Sequence, residues 1–323
     1  MKYTNARWEN AKPLVTIVTP AYNRAQTMQR TIDSVKAQTF KDFEYIIVDD
    51  GSTDDLDSVV KPFMDSTNIP VMYIKKENGG VHTARNAGLN EARGLYSVEI
   101  DSDDELTPNA LKVFVDAWQT IPEKERAHYR EIVGQCMDEK GIRCGQPFPD
   151  NINKLSNEEA HKACSSTIGE HFSCSLVSIR KENPFLEPPG VTFYTESLLW
   201  AQLDKKYKSY YINDIVRIYH SEGDDHLNTM LDKTKKKKTL QACRNGLWEC
   251  SYVLNNWKTY KGWEGEGYLN NLLRYSLMRQ ILARKKDVMV DKCKLRGGIS
   301  NFLYGVFYLP ILIFSLRYEK ERM

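Results

Sequence analysis

Leu14-Val15-Thr16-Ile17-Val18-Thr19-Pro20-Ala21-Tyr22-Asn23-Arg24 runs from a β-rich stretch directly into a polar turn, and three similar runs follow it: Phe43 to Val48, Val71 to Ile74 and Tyr96 to Ile100. Segments with helical spacing lie between them. Met28, Ile32 and Val35 recur at i, i+4 and i+7, which puts one apolar stripe on a helix that covers the sheet. This alternation predicts βαβ units and therefore an α/β fold, a mostly parallel, Rossmann-like sheet flanked by helices. Farther along, Thr107-Pro108 predicts an N-cap followed by a first-turn proline, opening a helix that buries Leu111, Phe114, Val115 and Trp118. Tyr129 to Met137 and Phe172 to Ile179 are expected strands, with Ser156-Asn157-Glu158-Glu159 as the capping box of a short helix between them. Beyond His220 come a basic run, Lys233-Thr234-Lys235-Lys236-Lys237-Lys238, and long helical stretches through Trp257 and Leu272. A boundary is expected near residue 225, separating a catalytic-sized domain, 1–225, from a helical C-terminal region, 226–323.

The 323 residues suffice for one large α/β unit plus an extension. A hydrophobic fraction of 41% with 27% charged residues excludes a multi-span membrane protein and a disordered chain. Lys plus Arg number 45 against 43 Asp plus Glu, a net +2 that offers no case for nucleic-acid binding. Seven cysteines, widely spaced and without a CxxC pair, suggest neither a disulfide framework nor a zinc ribbon; reduced thiols are expected. The first thirteen residues hold no apolar run suited to a signal peptide, so a cytoplasmic location is expected.

In an open parallel sheet, ligands gather at the carboxyl ends of strands, and here those ends are polar. The first leads into Thr19 to Arg24, the second into Asp49-Asp50-Gly51-Ser52-Thr53-Asp54 and the fourth into Asp101-Ser102-Asp103-Asp104. Carboxylates at i and i+2 of an extended segment emerge on one side and can share a hard divalent cation, Mn²⁺ or Mg²⁺, whose shell phosphate oxygens complete. Taken alone, such an acidic loop is as readily a solvated surface. Neither GxxxxGK[ST] nor GxGxxG occurs, so a nucleotide held here must be gripped another way.

Four motifs in order, residues 15–24, 48–54, 78–88 (Asn78-Gly79-Gly80-Val81-His82-Thr83-Ala84-Arg85-Asn86-Ala87-Gly88) and 101–104, resemble those of the inverting family 2 glycosyltransferases of GT-A fold. The resemblance covers the first third of the chain in register and continues more weakly to about His220. It implies a nucleotide-sugar site in which Thr19 and Tyr22 line the base pocket, Asp50 accepts from a uracil-like ring N–H and Arg24 and Ser102 join the donor contacts. Arg85 would face ribose or diphosphate, as a guanidinium's fixed donors suit. Asp101, Asp103 and Asp104 would divide ribose and metal between them, in an order left open. Asp49, and Asp50 as the competing reading, are also suited to a turn before Gly51.

Inversion needs a base that deprotonates the acceptor hydroxyl as it attacks. In the family this is the Asp of a Glu-Asp pair, four residues before a Trp. Tyr194-Thr195-Glu196-Ser197-Leu198-Leu199-Trp200, aligned on its tryptophan, makes Glu196 the base; aligned on the first acid, it leaves Ser197 there, which cannot do that work. The competing reading makes Glu196 a helix-leading acid favoured by the dipole. His220 lies where related enzymes often close over diphosphate or metal. Together these imply a metal-dependent inverting transferase moving a sugar from a UDP-linked donor to a saccharide or lipid-linked saccharide; the alternative is an inactive nucleotide-sugar-binding module.

Residues 302–316 carry no charge, yet fifteen helical residues reach only about 22 Å, short of a roughly 30 Å hydrocarbon core. Flanked by Lys292, Lys294, Arg296, Arg317, Lys320 and Arg322, the segment suits shallow insertion against anionic lipid, a peripheral membrane contact. Its competing reading is a buried terminal helix.

Overall fold

The computed structural model of the protein describes residues 1–155, 159, 160, 163, 169–220, 240–260, 267–298, 301–306, 308, 311 and 315. The chain divides into two compact units, residues 1–186 with 203–221, and residues 187–202 with 222–323. The boundary expected near 225, the lysine run and residues 156–158 of the expected capping box lie outside the described residues.

The first unit is built on β1 (Lys2–Thr4), β2 (Val15–Ala21), β3 (Phe43–Asp49), β4 (Val71–Lys75), β5 (Tyr96–Glu99), β6 (Glu105–Leu106), β7 (Tyr129–Asp138), β8 (His171–Leu176) and β9 (Lys208–Tyr219). They form one sheet in the order β1-β4-β3-β2-β5-β8-β7-β9-β6. The four runs singled out in the sequence are the parallel core, β4-β3-β2-β5. Every residue of β2 and β3 is buried, because helices cover both faces of such a sheet and its strands can be apolar throughout. Past β5 the sheet becomes mixed, with β8 antiparallel to both β5 and β7.

Helices α1 (Met28–Lys36), α2 (Asp57–Ser66), α3 (Val81–Glu91), α4 (Ala110–Thr120), α5 (Glu123–Arg126) and α6 (Val177–Glu182) accompany the sheet. On α1 the buried side includes Met28, Ile32 and Val35, the predicted stripe. Helix α3 lies so close to the sheet that a Cβ at Gly88 would collide with Val18 Cγ1, so only glycine permits that approach.

Two expectations are corrected, and one strand was not anticipated. Helix α4 starts at Ala110 rather than after Thr107, whose hydroxyl instead donates to the Ile215 carbonyl at 3.0 Å and ties the loop to β9. Its buried face does contain Leu111, Phe114, Val115 and Trp118. The run from Phe172 to Ile179 changes at Val177 from strand to helix. Lys2–Thr4, too short for a periodic signal, adds an antiparallel edge strand on β4.

In the second unit, α7 (Ser197–Leu203), α8 (Leu240–Asn255), α9 (Trp257–Tyr260), α10 (Tyr268–Arg284) and α11 (Met289–Lys292) are helical. Helix α10 ends in a Schellman turn, with Lys286 N–H donating to Ala283 O at 3.0 Å and Asp287 N–H to Leu282 O at 3.0 Å. Lys286 occupies its left-handed position at φ 54°, where glycine is usual. Lys286→Gly is therefore expected to raise stability by about 1 kcal/mol, read as a higher denaturant midpoint at unchanged m-value.

The apolar C-terminal segment is helical at 301–306, 308, 311 and 315, and Ile311 and Ser315 are buried. Ser315 Oγ donates to Gln280 Oε1 at 3.1 Å and the Tyr304 ring meets Tyr275 at 5.9 Å, so this side packs against α10. Phe302 and Val306 point outward, 71% and 55% exposed. Among the described residues no helix is long and apolar enough to cross a membrane.

Candidate functional site

The loops after β2 and β3 are tied together. Asn23, in the left-handed region at φ 54°, accepts at Oδ1 from Thr53 N–H at 2.7 Å and Thr53 Oγ1 at 3.2 Å, while its own N–H donates to Ser52 Oγ at 3.0 Å. Asp54 returns the connection, accepting from Ala25 N–H at 2.8 Å. Asn23→Ala removes the acceptor and puts a side chain without local hydrogen bonds in that backbone region. Stability is expected to fall by about 2 kcal/mol, measurable as a lower denaturant midpoint.

Asp50 ties the β3 end to the loop before α3. Its carboxylate accepts from Lys76 Nζ at 2.5 Å, Gly79 N–H at 3.0 Å and Gly80 N–H at 2.7 Å. These use three of about four acceptor positions, so one remains, on a carboxylate that is itself buried. Asp49 is a turn former, accepting from Ser52 N–H at 2.7 Å. Gly51 at φ +79° completes that turn, and a Cβ there would lie 2.7 Å from Asn78 N.

Tyr22 is 46% exposed beside these loops, whereas Thr19 is fully buried and its hydroxyl accepts from Tyr45 at 3.1 Å. Thr19 thus underlies the rim and does not reach its surface. Ser102 is also buried, its carbonyl accepting from the Thr27 hydroxyl at 2.9 Å.

Glu99 and Asp101 emerge on one side of the β5 end, and Arg85 lies against both, 2.8 Å from Asp101 Oδ1 and 4.0 Å from Glu99. Arg180, itself buried, holds Glu99 from behind at 3.1 Å. Arg85 therefore orients the β5 end from a largely buried position. Burial raises the Asp101 carboxyl, but Arg85, Arg217 and Arg24 outweigh it and hold the group below its ordinary range. Asp103 lies 3.8 Å from Arg24 Nε.

Asp104 turns inward. It accepts from the His220 N–H at 2.9 Å and lies 3.5 Å from Arg217 Nε, and burial lifts it to about 7 despite that arginine. Arg30 Nη1 lies 3.0 Å from His220 Nδ1, and Glu105 Oε1 2.7 Å from its Nε2. Because a guanidinium only donates, Nδ1 must accept and Nε2–H faces Glu105. Both ring nitrogens are thereby used, so His220 is occupied as a structural link and not turned toward a cation.

Among the described residues no group of three or more His, Cys, Asp or Glu is arranged to hold a metal. Asp101 and Asp103 fit a cation of another type: hard oxygen donors, one side chain 40% and the other 18% exposed, at a site that phosphate oxygens and water must complete. Asp104 and His220 do not fit that set.

Glu196 belongs to the second unit, where its carbonyl starts α7 by accepting from Leu199 N–H at 2.9 Å. The preceding Thr195 shares a hydrogen bond with Ser197 Oγ at 2.7 Å and donates to Glu249 Oε1 at 3.3 Å. Glu249 comes from α8, distant in sequence, and no local pattern distinguishes it from other helix acids. Arg217 and Lys76 were likewise invisible as site residues, since each acts across the sheet.

Residues 16–124, which include the tied loops and both rim carboxylates, match glycosyl transferase family 2. Along 248 residues the chain is 29% identical to the GalNAc(5)-diNAcBac-PP-undecaprenol beta-1,3-glucosyltransferase of Campylobacter jejuni, covering 76% of this chain and 75% of that enzyme. The chain is a glycosyltransferase with a family 2 domain at residues 16–124. The glycosyltransferase shares its fold with S. aureus TarS 1-349, solved with UDP-GlcNAc, at TM-score 0.55 and 15% identity over 94% of this chain and 89% of that one. Mannosyltransferase PcManGT from Pyrobaculum calidifontis, solved with GDP-Man and Mn²⁺, matches at TM-score 0.53 and 13% identity over 96% of this chain and 85% of that one. The glycosyltransferase thus has the GT-A fold with a helical C-terminal part.

Proposed function

We propose that this glycosyltransferase moves a sugar, with inversion, from a UDP-linked donor to a lipid-linked or growing saccharide at the cytoplasmic face of a membrane. One observation carries the reading: the β2, β3 and β5 ends and the loop before α3 form one cross-linked rim that offers Tyr22, the remaining acceptor capacity of Asp50, and the carboxylates of Asp101 and Asp103. That set suits a base, its ring N–H and a metal-bound diphosphate. TarS with UDP-GlcNAc, PcManGT with GDP-Man and Mn²⁺, and the undecaprenol-linked acceptor in the name of the Campylobacter enzyme support it.

In this reading Glu196 takes the proton of the acceptor hydroxyl as that oxygen bonds to the anomeric carbon and the bond to the diphosphate breaks. Asp101 and Asp103 would hold Mn²⁺ or Mg²⁺, which when bound supplies positive charge against the diphosphate. Arg85 keeps Asp101 ionised and oriented. Nucleotide release from UDP-, GDP- and TDP-sugars, with and without each metal, tests the proposal. Metal-dependent release from a UDP-sugar supports it; binding without release, even with candidate acceptors present, points to the inactive module.

Glu249 is assigned a positioning role, accepting from the Thr195 hydroxyl, which pairs with that of Ser197 in the turn that carries Glu196. Glu249→Gln is expected to lower kcat about tenfold at unchanged donor KM. Glu249→Asp should recover part of the loss, and Thr195→Val should add little in the Glu249→Gln background.

A further inference from the structure

We infer that the second unit binds the phosphate of an anionic bilayer lipid in a cleft between α10 and the C-terminal segment. The inference rests on the proposed place of action at a membrane face and deepens it by naming a site. The cleft encloses about 430 Å³ and is lined by Arg279, Gln280, Arg284, Tyr304 and Tyr308, with Ala283 at its edge. Its walls are held in place: Arg279 donates to Val290 O at 2.5 Å, Gln280 Nε2 to Tyr308 O at 2.9 Å, and Arg284 to Ser315 Oγ at 3.1 Å. Two guanidiniums and two phenols around one opening form a set of donors that matches phosphate oxygens, for which arginine's planar fork is suited.

Charge and exposure indicate where that phosphate comes from. Residues 279–298 carry seven basic side chains and two acidic ones. Both acids are engaged, Asp287 with Arg244 at 2.7 Å and Asp291 with Lys294 at 3.5 Å. Within the lining Tyr308 is 45% exposed, Val288, two residues before the lining Val290, is 66% exposed, and on the outward side of the C-terminal segment Phe302 and Val306 are 71% and 55% exposed. A soluble phosphate needs no such apolar border. A lipid headgroup does, because its acyl chains must find an apolar surface where the phosphate docks.

The test is co-sedimentation of the full chain with vesicles of phosphatidylcholine, alone or mixed with phosphatidylglycerol. Binding to the mixed vesicles is expected to be about tenfold or more above neutral ones. The double substitution Arg279→Lys and Arg284→Lys preserves charge but removes the fork, and is expected to lose about tenfold on mixed vesicles. Ala283→Glu, at an exposed cleft position with little risk to folding, should lose more than the about fivefold of one diffuse surface charge, and Ala283→Gln should lose nothing. Phe302→Ser with Val306→Ser should weaken binding to both vesicle types. If the lysine pair and Ala283→Glu bind like wild type, or inorganic pyrophosphate alone saturates the cleft at equal affinity, the lipid site is overturned while the membrane contact stands. If wild type ignores both vesicle types, both readings fall.

Discussion

Glu196→Gln is expected to lower turnover about a thousandfold while donor affinity stays within about twofold of wild type. The amide keeps the shape of the side chain and its place before α7 but cannot take a proton, so the loss should appear in kcat alone. Ser197→Ala discriminates the two registers considered for this stretch. It leaves the carboxylate in place and removes one member of the Thr195–Ser197 hydroxyl pair, so its loss should stay near about tenfold. Single-turnover release of nucleotide, measured with donor and acceptor both saturating, separates this chemical step from binding. A Glu196→Gln enzyme with ordinary turnover would end the assignment of Glu196 as base.

Asp103→Asn is the second large effect, expected to cost about a thousandfold in metal-stimulated turnover and to abolish the Mn²⁺ dependence of UDP binding in calorimetry. The amide removes one unit of negative charge from the proposed cation site, where protein ligands would be few and each carboxylate would count. Asp104→Asn provides the contrast. That carboxylate faces His220 N–H and Arg217, so its substitution should lower the melting temperature more than it alters the metal response. Equal metal dependence in wild type and Asp103→Asn would remove Asp103 from the cation site.

The parallel core was legible because its strands are buried on both faces and read as continuous β-rich runs, with Met28, Ile32 and Val35 marking the covering helix. The rim was legible too, as polar residues directly after apolar strands. What escaped depended on distance along the chain. Nothing in Thr107-Pro108 announces that its hydroxyl is taken by Ile215, so a local cap was expected where a long-range bond exists. Thr19 sits in a rim motif, but Tyr45 from the neighbouring strand covers it. His220 and Asp104 looked available for a cation until Arg30, Glu105 and Arg217, from three other segments, used their polar atoms. Sequence period reports which face is buried; it does not report which partner arrives there.

The reciprocal bonds between Asn23 and Thr53 and between Asp54 and Ala25 also bear on the kinetics of donor capture. Two loops that would otherwise sample many conformations lose that entropy when the chain folds, so little of it remains to be lost when a nucleotide arrives. Encounter should then proceed at similar rates for different nucleoside diphosphates, and discrimination among them should reside in how long each one stays.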